Sequence, residues 1–91
     1  MATHAVWLVV DGERLAHAFE EACRMLDHAR GEVVLDFSCV HRVDPAALHA
    51  LEHLAVTAEG KGTKLVLNNV NIDIYKVLKL MKLVPRFSFR A

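Results

Sequence analysis

The chain has 91 residues and 54% of them are hydrophobic, which predicts one folded domain over residues 1–91 and excludes a disordered chain. Its apolar runs are a handful of residues long, far short of the roughly 20 that span a bilayer, so we expect no membrane insertion. The formal net charge is zero, but residues 1–60 hold most of the acidic side chains and residues 61–91 most of the basic ones. This asymmetry is typical of solvating surface charge or, alternatively, of an interaction face.

The first third of the chain predicts a strand followed by a helix. AVWLVV (5–10) is a short apolar run rich in β-branched residues, and Asp11 with Gly12 then turns the chain. From residue 14 to residue 29, apolar side chains recur with the spacing of one helix face, and Gly31 stands where a helix often ends. The first twelve residues, MATHAVWLVVDG, have neither the basic start nor the long apolar core of a secretion signal, so we expect a cytoplasmic protein.

The middle of the chain predicts a second strand and a second helix. EVVLDF (32–37) is almost continuously apolar, which is typical of a strand covered on both faces. A helix is expected from residue 45 to residue 59, because the Asp44 carboxylate can accept the free N–H groups of a first turn and Pro45 suits the first helical position. Gly60 and Gly62 mark its end. Its periodicity predicts a buried stripe of Ala47, Leu48, Leu51, Leu54, Ala55 and Ala58.

The last third of the chain predicts another strand and another helix. TKLVLN (63–68) is the strand, and Asn71 or a neighbouring residue is expected to cap a helix that continues to about Lys82. Pro85 is expected to stop this helix, and RFSF (86–89) is a candidate for a short final strand. The predicted buried stripe of the helix consists of Ile74, Val77, Leu78 and Met81.

The order of these elements predicts an α/β fold with a small, mainly parallel sheet. Strands and helices alternate as β-α-β-α-β-α, with the candidate strand after them, and right-handed crossovers connect parallel strands. In open sheets of this kind, the loops at the carboxyl ends of the strands carry the functional site. The two loops in question are SCVHRVDP (38–45) and NNVN (68–71).

Two short patterns raise the question of catalysis. HALEH (49–53) matches an H-x-x-E-H arrangement in which two histidines hold zinc and a glutamate acts on a bound water. The downstream acids Glu59 and Asp73 have no evident route to a third ligand position, so we favour exposed histidines on an ordinary helix and expect no metal. Cys39 and His41 form an alternative nucleophile pair, but residues two apart in a loop have no fixed geometry. We therefore expect neither an enzyme nor a cofactor.

The remaining sequence signals argue against other functional classes. The basic C-terminal third contains Phe87 and Phe89, but no Gly-rich or aromatic-interleaved stacking motif accompanies them, so we expect no nucleic-acid binding. A GxGxxG loop, a P-loop and a nucleophile elbow are all absent from the sequence. Cys23 and Cys39 form no CxxC pair, and we expect both to be reduced thiols in or near the core.

Residues 33–83 resemble the central part of a STAS domain. This module occurs in bacterial anti-sigma factor antagonists, in sulfate-transporter C-termini and in a subunit of a lipid-transport ABC system. No single motif carries the resemblance, which depends on an ordered set of features. They are an apolar strand ending in Asp36-Phe37-Ser38, Val43-Asp44 opening a helix, a Gly-x-Gly turn before a strand ending near Asn68-Asn69, and a V-N-x-x-x-Y-K-V-L helix leading to Leu83.

The resemblance implies a partner-binding domain that is not itself a catalyst. In the antagonists, the start of the helix after the aspartate is the docking surface, and it carries a serine or threonine in a D-[ST]-[ST]-G pattern that a partner kinase phosphorylates. Here the pattern becomes Asp44-Pro45-Ala46-Ala47, so Ala46 takes the place of the phosphosite and has no hydroxyl. The implied partner-binding residues are His41, Arg42, Asp44, Pro45, Ala46, Ala47, His49, Glu52, Asn69 and Asn71.

Two functions remain open at this point. One is a regulatory module of the anti-sigma factor antagonist type that binds a kinase-like anti-sigma factor and stays in an unphosphorylated-like state. The other is a cytoplasmic accessory subunit of a lipid-trafficking ABC transporter that binds its ATPase subunit, because residues 70–85 resemble the last helix of such a subunit and the turn after it. The sequence also leaves open a homodimer, and a small ligand or nucleotide beside residues 68–71.

Overall fold

The computed structural model of the chain describes residues 5–27 and 31–90. Within them, strands and helices alternate, and a short 3-10 helix, Val84–Arg86, precedes the last strand. The strands are β1 (Ala5–Val9), β2 (Glu32–Asp36), β3 (Lys64–Asn68) and β4 (Ser88–Arg90), and the helices are α1 (Leu15–Met25), α2 (Pro45–Lys61) and α3 (Ile72–Leu80). The predicted last turn of the first helix, residues 28–29, lies outside the described residues.

The four strands form one parallel sheet in the order β1-β2-β3-β4, which confirms the predicted α/β fold and the final strand. Each crossover steps to the next strand in the same direction, so right-handed connections bring all three helices to the same face. On that face the buried side chains of the helices and alternate strand residues form one core. No helix in the described part of the chain is long and apolar enough to cross a membrane.

Polar side chains start α2 and α3 as the sequence predicts. The Asp44 carboxylate accepts a hydrogen bond from the Ala47 N–H at 2.8 Å, and Pro45 occupies the first turn. The end of α2 is two residues later than expected: Gly60 is helical, and Gly62, with φ of 68°, closes the helix in the left-handed conformation. A glycine adopts this conformation without strain, so Gly62 terminates the helix and Gly60 does not.

The end of α3 differs from the prediction. The helix ends at Leu80, and Lys82 adopts a left-handed φ of 59°, so that the Leu83 N–H donates to the Leu78 carbonyl at 2.9 Å. This reversal buries Leu83 and leaves Met81 53% exposed, so the prediction of Met81 in the core is wrong. Pro85 does not stop the helix, because the chain has already turned at Lys82.

The other face of the sheet carries none of the helices formed by residues 5–27 and 31–90. Register places Trp7, Val34, Val66 and Ser88 side by side on this face, which we call the open face. Val34 is fully buried, like Val33 and Leu35 on the helix side, so β2 is covered on both faces as its continuous apolar run predicts. Arg90 donates to Glu32 at 3.1 Å across β3, and this ion pair lies over the centre of the open face.

Candidate functional site

The loops that follow β2 and β3 meet at the carboxyl ends of the strands, and Asn71 joins them. Its amide nitrogen Nδ2 donates to the Val40 carbonyl at 3.2 Å and lies 3.5 Å from the His41 carbonyl. Its Oδ1 accepts the Ile74 N–H at 2.9 Å and caps α3. One side chain therefore starts a helix and holds the neighbouring loop, which explains why a residue with both a donor and an acceptor stands there.

A second link between the two loops centres on Asp36. Its carboxylate accepts the Ser38 backbone N–H at 2.9 Å and the Asn69 side-chain amide at 3.2 Å. These hydrogen bonds, that of Ser38 first, lower the pKa of Asp36 below its ordinary value because they stabilise the charged form. Asn69 adopts a φ of 58°, and its N–H donates to the Arg90 carbonyl at 3.1 Å. Asn69 therefore has a structural role at the end of β3.

The turn after β1 packs directly on the loop after β2. A Cβ atom on Gly12 would lie 2.0 Å from the Cys39 carbonyl oxygen, so only glycine fits at this contact. The Asp11 carboxylate accepts the Glu13 N–H at 2.9 Å and shapes the same turn. Two loops, those after β1 and β3, thus support the loop after β2 that leads into α2.

Seven exposed residues lie in the loop before α2 and in its first two turns. We call this set the α2-start surface, and most of the predicted partner-binding residues belong to it. Its members are His41, Arg42, Asp44, Pro45, Ala46, His49 and Glu52. Its fixed feature is the helix start, where Asp44 and Pro45 hold the first turn in place.

Ala47 does not belong to this surface. Its side chain is 0% exposed and packs in the core, as its place in the predicted buried stripe required. The inclusion of Ala47 among the partner-binding residues is therefore wrong, because the third helical position faces the sheet. Asn71 is half-buried and acts through the loop that it holds.

Two grooves border the α2-start surface. One, of about 210 Å³, is mainly apolar and runs between the start of α2 and the end of α3, with Leu48, Met81 and Leu83 in its walls. The other, of about 610 Å³, lies between the starts of α1 and α2 and includes Arg14 and Arg42. Sequence patterns do not indicate the first groove, because the groove depends on the left-handed turn at Lys82, where no glycine marks the end of the helix.

The histidine and cysteine patterns fall at exposed positions. His49 and His53 lie on the solvent side of α2, and the His53 carbonyl accepts the Thr57 hydroxyl at 2.8 Å. Across residues 5–27 and 31–90, no three His, Cys, Asp or Glu side chains come together as a metal site. Cys23 is half-buried, whereas Cys39 is exposed beside the loop, so the expectation of a core position is wrong for Cys39.

The sequence and the fold are similar to those of a known protein family and of solved structures. The family model described as "Mlab, STAS domain" matches residues 4–84. A protein from Thermotoga maritima described as an anti-sigma factor antagonist (tm1081) has a similar structure, with a TM-score of 0.76 and 20% identity over 93% of this chain and 77% of that one. The Bacillus cell fate determinant SpoIIAA, in its phosphorylated form, has a TM-score of 0.64 and 12% identity over 96% of this chain and 79% of that one. No curated protein matches the sequence significantly.

Proposed function

Because the chain belongs to the STAS domain family, we propose that it is a non-enzymatic, protein-binding regulatory module of the anti-sigma factor antagonist type. Its partner in this proposal is a kinase-like anti-sigma factor in the cytoplasm, bound through the α2-start surface. The observation that carries the proposal is the exposed, capped start of α2, whose preceding loop is held by the loops after β1 and β3. The fold shared with two proteins, one described as an antagonist and one whose structure is of its phosphorylated form, supports it.

The start of α2 has no hydroxyl group that a serine or threonine kinase can modify. Ala46 is exposed at the position that corresponds to the phosphosite, and residues 39–56 contain no serine, threonine or tyrosine. A phosphate brings nearly two negative charges to a surface that a partner must approach closely, and this chain has no means to acquire them there. The proposed module is therefore constitutively competent to bind, and its activity depends on its amount and on competition between partners.

The first experiment places a negative charge where the phosphate would be. Ala46→Glu is expected to abolish capture of the purified anti-sigma factor from the same genome, because the carboxylate faces the partner. The fold should not suffer, since an acid in the first turn of a helix is favourable by about 0.3–1 kcal/mol. This substitution is preferable to Ala47→Glu, which would introduce a charge into the core.

A matched control makes that experiment specific. Val56 is 54% exposed on the same helix, and ten residues separate it from Ala46, about 15 Å along the axis. Val56→Glu adds the same charge away from the proposed contact and should bind like the wild type. Equal capture by the Ala46→Glu variant and the wild type would refute the assigned surface, and equal loss in both variants would show that the charge acts non-specifically.

The second experiment tests the missing switch. After incubation with the same anti-sigma factor and ATP, the intact protein should gain no phosphate by mass spectrometry. Ala46→Ser supplies the missing hydroxyl and should gain one if the kinase recognises this helix start. A phosphorylated wild-type peptide covering residues 41–51 would contradict the proposal directly.

A second candidate function is the STAS accessory subunit of an ABC transporter, for which the apolar groove between the start of α2 and the end of α3 is the favouring observation. Residues 70–85, which resemble that subunit, supply one wall of the groove. In this case the ATPase subunit, and not the anti-sigma factor, should be captured. Met81→Glu should weaken capture, whereas Leu80→Glu should not, because Leu80 is 81% exposed and lies outside the groove.

A further inference from the structure

The strand β1 has one unpaired edge in the described part of the chain. It lies first in the sheet order and pairs only with β2. The Val10 N–H donates to the Asp36 carbonyl at 3.0 Å, and in a parallel ladder alternate residues direct their backbone groups to the same side. Val6 and Leu8 therefore bond toward β2, while the N–H and C=O groups of Ala5, Trp7 and Val9 point away from the sheet.

The same residues leave large apolar side chains in solvent. Trp7 is 59% exposed and Val9 is 69% exposed, and both lie on the open face. Natural sheets protect such an edge with a charge, a proline, a bulge or a very short strand, and AVWLV has none of these. The opposite edge is protected, because β4 has only three residues and ends in the paired Arg90.

The helix above this edge continues the apolar character. The flank of α1 that faces α2 carries Glu20 and Cys23, which line a groove with α2. Ala18 and Met25, seven residues apart and so on one stripe, lie on the other flank, above the free edge of β1. Both are half-buried. In an antiparallel contact between two copies, the small Ala18 of one stripe would lie beside the flexible Met25 of the other. Such a pair suits close packing.

We propose that two copies of this chain associate through β1, antiparallel to each other about a two-fold axis at Trp7, and form one continuous eight-stranded sheet. The outward-pointing backbone groups determine the register. An axis at Trp7 pairs Trp7 with the Trp7 of the other copy and Ala5 with its Val9. All of these residues have their bonding groups on the free edge, so every ladder bond can form. The two tryptophans become a cross-strand pair on the open face.

The occupant is a second copy because the edge is complementary to itself. An isologous contact brings each residue near its own equivalent, so a charged strand would repel its copy, and β1 contains no charged residue. The whole chain has zero formal net charge, so no long-range repulsion opposes association. The interface is small, since Trp7 contributes about 150 Å² and one strand and one helix flank complete it, which places it among weak, reversible contacts.

The sequence supplies its own probe for this association. Trp7 is the single tryptophan, so its fluorescence reports on this edge alone. Sedimentation equilibrium and emission spectra between about 1 μM and about 500 μM should give a monomer–dimer equilibrium with a blue shift that follows the dimer fraction. A wild-type protein that stays monomeric over this range overturns the proposal. So does a dimer with unshifted emission, and so does growth beyond two copies, because a closed two-fold contact ends at the dimer.

Two variants test the register of the contact. Val9→Lys adds an edge lysine and should raise Kd at least about tenfold. Ile72→Lys is the matched control, since Ile72 is 64% exposed on α3 and should leave Kd unchanged. Val9→Pro removes an N–H that points away from β2, so it should leave the monomer folded by circular dichroism and abolish the dimer. Equal Kd values for Val9→Lys and Ile72→Lys would assign the association to another surface and overturn the proposal.

Discussion

Asn71 offers the most direct test of how the candidate site is held together. Its Oδ1 caps α3 and its Nδ2 holds the loop that leads to the α2-start surface, so two substitutions can separate the two roles. Asn71→Ser keeps a good cap but cannot reach the Val40 carbonyl. Asn71→Ala removes both interactions. Asp44→Ala is the matched control, because the Asp44 side chain caps α2 by a single hydrogen bond to Ala47.

The expected magnitudes follow from this geometry. A lost N-cap costs about 1 kcal/mol, and a lost hydrogen bond to a largely buried carbonyl costs about another 1 kcal/mol. We therefore expect Asn71→Ser and Asp44→Ala to lose about 1 kcal/mol each, and Asn71→Ala about 2 kcal/mol. For a domain of this size, each kilocalorie lowers Tm by about 4–8 °C.

Urea unfolding followed by circular dichroism measures these differences, with thermal melts as a second readout. The reasoning is refuted if Asn71→Ser is as stable as the wild type, because the contact with the Val40 carbonyl then contributes nothing. It is equally refuted if Asn71→Ser and Asn71→Ala are destabilised by the same amount, because the cap at Ile74 is then without effect. A destabilised Asn71→Ser variant should also bind the proposed partner more weakly, since the loop before Asp44 is released.

Two further predictions concern the loops at the carboxyl ends of the strands. Gly12→Ala should lower the free energy of unfolding in urea by about 2–3 kcal/mol or more, because its Cβ would overlap the Cys39 carbonyl. Gly60→Ala is the control, and it should raise the free energy of unfolding by about 0.5–1 kcal/mol, because Gly60 lies in a helix with open space around it. Equal effects of the two substitutions would contradict the close contact at Gly12. The hydrogen bonds from Ser38 and Asn69 lower the pKa of Asp36, so its stabilising contribution is present above an ordinary pKa of about 4 and is lost as the pH falls through the lowered value. Asp36→Asn should therefore lose less stability than the wild type when the urea midpoint is compared between about pH 6 and about pH 2.5, and an unchanged loss would contradict this assignment.

The sequence predicted those parts of the fold that local chemistry determines. Asp44 caps the second helix as expected, and Asn71, one of the caps that the sequence allows, starts the third. Both are predictable because a short side chain with an acceptor bonds to backbone groups only a few residues away. The end of α3 was not predicted, because Lys82 terminates the helix in the left-handed conformation. A lysine has no preference for this conformation that the sequence could reveal.

The candidate site shows the same division between local and long-range information. Helical periodicity assigned Ala47 to the buried stripe, whereas the family resemblance assigned it to the partner surface, and the structure agrees with periodicity. The groove beside Met81 and the contact between Gly12 and Cys39 join residues far apart in the chain, so no spacing in the sequence could indicate them. The open face also depends on strand order, which an apolar run such as EVVLDF does not specify.

Pro45 has a consequence for the thermodynamics of recognition. A proline at the first helical position fixes φ near −65°, so the start of α2 has its final shape before any partner arrives. A surface that is already ordered loses little conformational entropy on binding, and more of the contact energy then appears as affinity. In the proposed function, Pro45 therefore gives the α2-start surface a fixed first turn, so partner binding would require little ordering of this part of the chain.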